Sequence, residues 1–113
     1  MIHIIGLQLH SFNQIKEGIK TIEARLLDEK RRKIKLGDII EIKLEPDRVT
    51  TIRVEVVGLL NYKTFLNLIN DFPITAFGDD TKEAFLARTS SFYTPEQEKK
   101  YSVLGIKIQL INV

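Results

Sequence analysis

The chain has 113 residues, of which 43% are hydrophobic and 28% charged, and its formal net charge at pH 7 is +2. This length and composition predict one soluble globular domain that spans residues 1–113. The sequence contains no cysteine, so disulfides and thiolate chemistry are excluded. It also contains no apolar run near the roughly 20 residues that cross a bilayer and no recognisable secretory signal. We therefore expect a cytoplasmic location.

Alternating apolar and polar residues predict strands in the first half of the chain. These strands run from Ile2 to Leu9, from about Thr21 to Leu26, from Ile39 to Glu45 and from Thr51 to Leu60. Between the first two strands, Ser11 predicts the N-cap of a short helix that carries Phe12 and Ile15 and ends at Gly18. Residues 28–33 are too polar for a core element and predict a loop or a single turn.

The hydrophobic period changes in the second half of the chain. Polar N-cap signals predict three helices, which start at Thr64, at Asp79-Asp80-Thr81 and at Thr94-Pro95. Alternation returns from Val103 to Val113, which predicts the last strand. Gly58 and Gly105 lie inside predicted strands and indicate bulges or bends. Strands separated by helical segments indicate an α+β fold.

The predicted strand after Gly18 carries a high density of charge. Lys20, Glu23 and Arg25 lie within six positions, and period-two geometry places Thr21, Glu23 and Arg25 on one face, with Glu23 and Arg25 roughly 7 Å apart. A carboxylate beside a guanidinium is suited to binding a polar ligand. The same pattern is also typical of a solvated strand face with an ordinary surface ion pair.

Positive charge is concentrated around and after this strand. Residues 16–35 contain eight basic and four acidic side chains. The basic patch within them comprises Lys30, Arg31, Arg32, Lys33 and Lys35. Such a patch would attract a polyanion with salt-sensitive affinity. A lysine-rich turn that protects a sheet edge has the same composition, so both interpretations stay open.

The aromatic residues around Tyr93 and the two histidines are the other candidates for binding a ligand or a metal. Tyr93 and Tyr101, with Phe92 beside Tyr93, predict a surface on which a base can stack, although such residues are also typical of helix packing. The two histidines, His3 and His10, have no cysteine or spaced carboxylates to accompany them, so we expect neither a metal site nor a resident cofactor.

Three segments of the chain resemble, in order, the ASCH domain family. They read Ile15-Lys16-Glu17-Gly18-Ile19-Lys20-Thr21-Ile22-Glu23-Ala24-Arg25, then Ile34-Lys35-Leu36-Gly37-Asp38, then Tyr101-Ser102-Val103-Leu104-Gly105-Ile106-Lys107-Ile108. The family pattern is approximately G-x-K-x-x-E-x-R followed by I-x-x-G-D-x-I. The resemblance implies a small PUA-like β-barrel, mixed or antiparallel, with about five to six strands, three to four short helices and a lateral cleft.

The resemblance also implies a function. Lys20, Glu23 and Arg25 would line the cleft, and the ligand would be RNA or a modified nucleoside. Lys20 and Arg25 would hold phosphate, Glu23 would accept a hydrogen bond from an exocyclic amine, with Thr21 nearby, and Tyr93 or Tyr101 would stack on the base. We expect a monomer or weak homo-oligomer that has neither a membrane nor a metal as a partner.

A small hydrolase is the alternative that the residues leave open. Some small ASCH-like proteins resemble amidohydrolases that deacetylate N4-acetylcytidine with the Lys and Thr of a K-x-x-T pattern and a later Glu. Lys20 matches that lysine, but Glu23 occupies the threonine position and Thr21 lies two residues earlier, so the hydroxyl nucleophile is displaced. A ribonuclease that uses Lys20 and Glu23 as catalytic residues is the other form of this alternative.

Overall fold

The structure, a computed structural model, describes residues 1–111 and has an α+β architecture. Five strands form one sheet: β1 (Ile2–Leu7), β2 (Ile22–Leu26), β3 (Ile39–Leu44), β4 (Thr51–Tyr62) and β5 (Val103–Leu110). The α-helices are α1 (Leu9–Lys16), α2 (Glu29–Arg32), α3 (Phe65–Asn70), α4 (Lys82–Phe92) and α5 (Pro95–Tyr101), and Ile74–Phe77 form a 3₁₀ helix. The predicted fold class is confirmed, and the described residues contain one α-helix more than expected because the polar segment after β2 forms a single helical turn.

The sheet is mixed and curls into a half-barrel. Its strand order is β1-β3-β4-β5-β2, with β1 parallel to β3 and every other pair antiparallel. The long β4 pairs with β3 from Thr51 to Glu55 and with β5 from Val54 to Tyr62. The register of the β4–β5 pair shifts between Val56 and Gly58, so the predicted bulge at Gly58 is confirmed. A bulge bends and twists its strand, which helps the sheet to curl.

Gly105 has a different role from the one predicted. It pairs in register with Ala24 on one side and Leu60 on the other, so it marks no bulge. A Cβ at this position would lie 2.9 Å from Cδ1 of Leu68, which is closer than side chains pack. The glycine therefore allows α3 to pack directly on the sheet.

Two hydrophobic clusters stabilise the fold. The first lies on one side of the sheet and contains the inward-facing residues predicted from alternation, such as Val54, Val56 and Ile106. The second contains Phe65, Leu68, Ile69, Phe77 and Phe85 from the helices together with Ile22, Leu26 and Val103 from the strands. Each buried side chain of this size contributes about 1.5–3 kcal/mol relative to exposure.

The first strand ends earlier than predicted. β1 stops at Leu7 instead of Leu9, and α1 begins at Leu9 with Gln8 as its N-cap instead of Ser11. Gln8 makes no capping hydrogen bond through its side chain, so the local sequence gives no signal for this boundary. The predicted placement of Phe12 and Ile15 on this helix is confirmed, and both side chains are buried. The predicted end of the last strand at Val113 lies outside the described residues.

Residues 63–102 form a helical insertion between two neighbouring strands. Tyr62 at the end of β4 pairs with Val103 at the start of β5, so the two ends of the insertion lie side by side. Thr64, Thr81 and Thr94 cap its helices as predicted, each hydroxyl accepting a hydrogen bond from a backbone N–H of the first turn. No helix within residues 1–111 is long and apolar enough to cross a membrane.

Candidate functional site

Two cationic side chains bind one carboxylate: Lys20 and Arg25 both contact Glu23. We call these three residues the charged triad. Nζ of Lys20 lies 2.8 Å from Oε1 of Glu23, and Nε of Arg25 lies 2.6 Å from Oε2. Lys20 is 3% exposed and Glu23 is 5% exposed, whereas Arg25 remains partly exposed. The geometry is that of a buried, shared ion pair, so the solvated strand face that the pattern also allowed does not occur.

The local sequence of β2 explains how two of these side chains meet. Ile22 and Leu26 pack in the second hydrophobic cluster, and period-two alternation directs Glu23 and Arg25 to the opposite face. Glu23 and Arg25 pair with residues of β5 that belong to the first hydrophobic cluster. The prediction that Glu23 and Arg25 share a face is therefore confirmed.

Lys20 reaches the triad from the turn that precedes β2. Gly18, with φ of +80°, adopts the left-handed conformation that ends α1. The backbone N–H of Lys20 donates to the carbonyl of Gln14 at 3.1 Å, and Nε2 of Gln14 donates to the carbonyl of Gly78 at 2.9 Å. The C-terminal end of α1 and the start of the loop after the 3₁₀ helix thus enclose the lysine stem.

The triad has strongly perturbed electrostatics. Burial by itself would raise the pKa of Glu23, but the charges of Lys20 and Arg25 and their hydrogen bonds outweigh it and lower that pKa from 4.5 to about 2. Burial would lower the pKa of Arg25, but the Glu23 carboxylate and the Tyr93 side chain raise it above its ordinary value. Glu23 is therefore an anion at any physiological pH, held between two cations.

A cavity of about 880 Å³ lies in the helical insertion, next to Tyr93. Its walls come from the start of α3, one side of α4 and the start of α5, and Ser102 contributes where the insertion returns to the sheet. The Tyr93 ring stacks on Phe65, with ring centroids 5.7 Å apart and an interplanar angle of 15°. Tyr93 also lies close enough to the Arg25 guanidinium to raise its pKa. Lys20, Glu23 and Arg25 do not line the cavity themselves, and Tyr93 is a lining residue that lies beside Arg25.

Thr21 and Tyr101 occupy different surroundings. The Thr21 side chain is exposed, and its backbone bonds to Ala76 and Ile108 at 2.8 and 3.0 Å. Tyr101 is half-buried against the second hydrophobic cluster, and Nζ of Lys100 lies 5.1 Å from its ring centroid. Neither residue lines the cavity beside Tyr93. Their contacts with a ligand stay predictions.

The basic patch surrounds a second, smaller cavity of about 280 Å³. Arg31 and Arg32 line it, whereas Lys30, Lys33 and Lys35 are exposed around α2 and the segment that follows. The role of the basic patch in attracting a polyanion stays a prediction at this point.

His3 has a structural partner, because its Nε2 lies 2.8 Å from Oδ2 of Asp38.

One ion pair of the helical insertion was not predicted from the sequence. Arg88 on α4 forms a two-pronged pair with Asp79, with distances of 2.7 and 3.4 Å, and its guanidinium lies over the ring of Phe85. Asp79 appeared only as part of a helix start, and no sequence spacing indicated this pair. Within residues 1–111 no group of three or more His, Asp or Glu side chains is arranged to hold a metal ion.

Comparison with known proteins identifies the family. The hypothetical protein PH0355 is 38% identical over 98% of this chain and 100% of its own, with a TM-score of 0.85. Protein PF0455 from Pyrococcus furiosus is 33% identical with full coverage of both chains and a TM-score of 0.77. An ASCH protein from Zymomonas mobilis (S128A mutant) is similar in fold alone, at 15% identity and a TM-score of 0.60 over 98% of this chain and 73% of its own. No relative is found among curated proteins. Because the ASCH domain profile also matches residues 5–112, the chain belongs to the ASCH domain family.

Proposed function

We propose that this protein binds RNA or a modified nucleoside, with a base in the cavity beside Tyr93 and Arg25 next to it. The ASCH family is generally linked to RNA binding or to hydrolase-like activity, which supports a nucleic-acid ligand. The observation that carries the proposal is the double role of Tyr93. Its ring lines a cavity large enough for a ligand, and the same residue acts on the guanidinium of the charged triad.

The cavity suits a flat, mostly apolar group. Its volume of about 880 Å³ lies within the range of small-molecule sites, and apolar side chains such as Leu86 contribute to its walls. Because Phe65 supports the Tyr93 ring from one side, the ring orientation is fixed before any ligand arrives. Stacking of a base on an aromatic side chain contributes about 1–3 kcal/mol.

Arg25 supplies the polar part of the proposed site. Its Nε is bound to Glu23 and Tyr93 lies beside the guanidinium, so the orientation of the group is fixed and its remaining terminal N–H groups can donate to a phosphate or a base edge. Lys20 and Glu23 would then act as positioning residues that hold Arg25. The direct ligand contacts predicted for Lys20 and Glu23 would require these buried side chains to become accessible.

The electrostatics favour binding over hydrolysis. A carboxylate with a pKa of about 2 is a weak base, so Glu23 is poorly suited to accept a proton from water or from a ribose hydroxyl. Multiple turnovers of acetate release from N4-acetylcytidine, or RNA cleavage, that Lys20→Met abolishes would favour the hydrolase instead.

Fluorescence anisotropy with a short labelled single-stranded RNA tests the binding proposal. Tyr93→Leu keeps apolar bulk against Phe65 but removes the aromatic face, so we expect affinity to fall at least about fivefold, which corresponds to the lower end of base stacking. Phe92→Leu is the matched control, because Phe92 is 68% exposed and does not line the cavity. Equal RNA affinities for Tyr93→Leu, Phe92→Leu and the unmodified protein would refute the proposal.

A further inference from the structure

The second cavity has the composition of an anion site. Arg31, Arg32 and Asn61 provide its polar lining, and four aliphatic side chains, Leu27 and Ile34 among them, provide the rest. Two guanidinium groups and an amide offer hydrogen-bond donors, and the aliphatic residues exclude water from one side. Guanidinium groups bind phosphate oxygens in a two-pronged geometry, which makes phosphate the anion that this lining fits best.

The charge around this cavity is largely uncompensated. Within residues 1–111, Arg31 pairs with Asp28 at 3.4 Å, while Arg32 and the neighbouring Lys30 and Lys33 form no salt bridge. Asp28 is otherwise committed to the N-cap of α2, where its side chain accepts a hydrogen bond from the backbone N–H of Arg31 at 3.1 Å. The patch thus retains net positive charge directed at any anion that enters.

The patch is also anchored to the core. Ile34, which ends the segment, is 6% exposed and belongs to the first hydrophobic cluster. The Asp28 cap fixes the start of the same segment. A lysine-rich turn that merely kept a sheet edge soluble would need neither a buried anchor nor arginines that line a cavity. These features favour the ligand interpretation over the solvated turn.

The two cavities lie against different hydrophobic clusters, one on each side of the sheet, and come together at the end where β2 pairs with β5. Leu27 lines the smaller one, Ser102 lines the larger one, and the backbone N–H of Leu27 donates to the carbonyl of Ser102 at 3.0 Å. A single backbone hydrogen bond therefore lies between residues of the base cavity and residues of the arginine cavity. An extended nucleotide chain carries a phosphate on either side of each base, so a chain that passes this end of the sheet can place a base in one cavity and a phosphate in the other.

We infer that the ligand is a single-stranded RNA chain, not a free nucleoside, and that Arg31 and Arg32 bind a phosphate next to the base held beside Tyr93. This inference rests on the proposed function, because it places the phosphate relative to that base. It narrows the ligand class from RNA or nucleoside to a phosphodiester chain. It also gives the basic patch a specific contact in addition to its general attraction for polyanions.

Salt titrations of RNA binding test this inference. Each phosphate contact on a single strand contributes about 0.7 to the slope of log affinity against log salt, or about fivefold in affinity at 0.1 M salt. Because both arginines bind the same phosphate, Arg31→Gln with Arg32→Gln should reduce the slope by about 0.7 and the affinity for a short labelled RNA by about fivefold. Arg32→Gln alone leaves the Asp28 pair intact and should reduce both by a smaller amount.

Arg48→Gln with Arg53→Gln is the matched control, because these arginines line neither cavity. It should leave the slope nearly unchanged, and free cytidine should bind weakly and equally to every arginine variant. If the Arg31 and Arg32 variants keep the full slope while Tyr93→Leu weakens binding, this inference is wrong and the proposed function stands. If cytidine binds as tightly as the RNA, the inference is also wrong. If Tyr93→Leu has no effect on RNA binding, the proposed function fails and the inference fails with it.

Discussion

Replacing Glu23 with Gln tests how strongly the charged triad stabilises the fold. Glutamine has nearly the same shape as glutamate, so packing is preserved while the shared negative charge is lost. Lys20 would then be a buried ammonium without a counter-ion, and the single carbonyl oxygen of glutamine could accept from only one of the two donors that now lie 2.8 and 2.6 Å from the carboxylate oxygens, Nζ of Lys20 and Nε of Arg25. Because Lys20 is 3% exposed, water cannot readily replace the lost carboxylate.

Two lines of reasoning give the expected loss of stability in Glu23→Gln. The pKa of Glu23 falls from 4.5 to about 2, and at about 1.36 kcal/mol per pKa unit this corresponds to about 3 kcal/mol. Removing one partner of a buried ion pair costs about 3–5 kcal/mol in proteins generally. We therefore expect Glu23→Gln to lower the free energy of unfolding at pH 7 by about 3 kcal/mol, a large share of the roughly 5–15 kcal/mol typical of a small protein.

The effect has a defined pH dependence. Because the folded-state pKa of Glu23 lies below the unfolded value of 4.5, the carboxylate stabilises the fold fully above that value and progressively less as the pH falls towards about 2. The stability difference between the unmodified protein and Glu23→Gln should therefore be constant near neutral pH and shrink between about pH 5 and pH 2. Asp38, whose pKa is also lowered to about 2 through its bond with His3, is present in both proteins and cancels in the difference.

Urea unfolding followed by circular dichroism at several pH values measures this difference. Glu41→Gln is the matched control, since Glu41 pairs at 2.8 Å with Arg53, whose side chain is 56% exposed. A surface pair of this kind is worth about 0–1 kcal/mol. The reasoning is refuted if Glu23→Gln is no more destabilising than Glu41→Gln, or if its stability deficit stays constant from pH 7 to pH 2.

Two further predictions concern backbone features around the site. In urea unfolding, Gly78→Ala should lower the free energy of unfolding more than Gly37→Ala. Both glycines have positive φ, so either substitution introduces a strain of about 1–2 kcal/mol. Only at Gly78 would the new Cβ also meet Gln14, at 2.5 Å from its Oε1. Equal costs would show that this contact relaxes freely. Thr94→Ala removes the N-cap of α5 and should lower the free energy of unfolding by about 1 kcal/mol. Thr75→Ala should leave it almost unchanged, because the Thr75 side chain is exposed and its hydroxyl forms no hydrogen bond within residues 1–111. Similar stabilities for these two threonine variants would contradict the capping argument.

Features that depend on neighbouring residues could be predicted from the sequence. Period-two alternation placed the strands, and threonine caps marked the helices of the insertion, because each signal acts within a few residues. The shared face of Glu23 and Arg25 followed from their spacing of two. The early end of β1 could not be predicted, because Gln8 makes no capping hydrogen bond and the pairing of Leu7 with Leu44 is a tertiary contact.

Features that depend on packing between distant segments could not be predicted. The approach of Tyr93 to Arg25 requires the insertion to fold back on the sheet, and that arrangement is set by aromatic contacts such as Phe65 with Phe85 at 6.0 Å. The burial of Lys20 likewise depends on Gln14 and Gly78 meeting across a gap of 64 residues. A charged strand pattern specifies which groups are present, but only tertiary packing decides whether they face water.

The adjacent ends of the insertion place the larger cavity within one continuous segment of the chain. Every residue that lines the larger cavity lies between Lys63 and Ser102, while Tyr62 and Val103 just outside are hydrogen-bonded partners in the sheet. Exposed positions of that segment can therefore change the shape of the cavity, while its buried residues, which form most of the second hydrophobic cluster, have to be kept to hold the sheet. A redesigned pocket would thus be built by substitution at the lining positions and not by exchange of the whole segment.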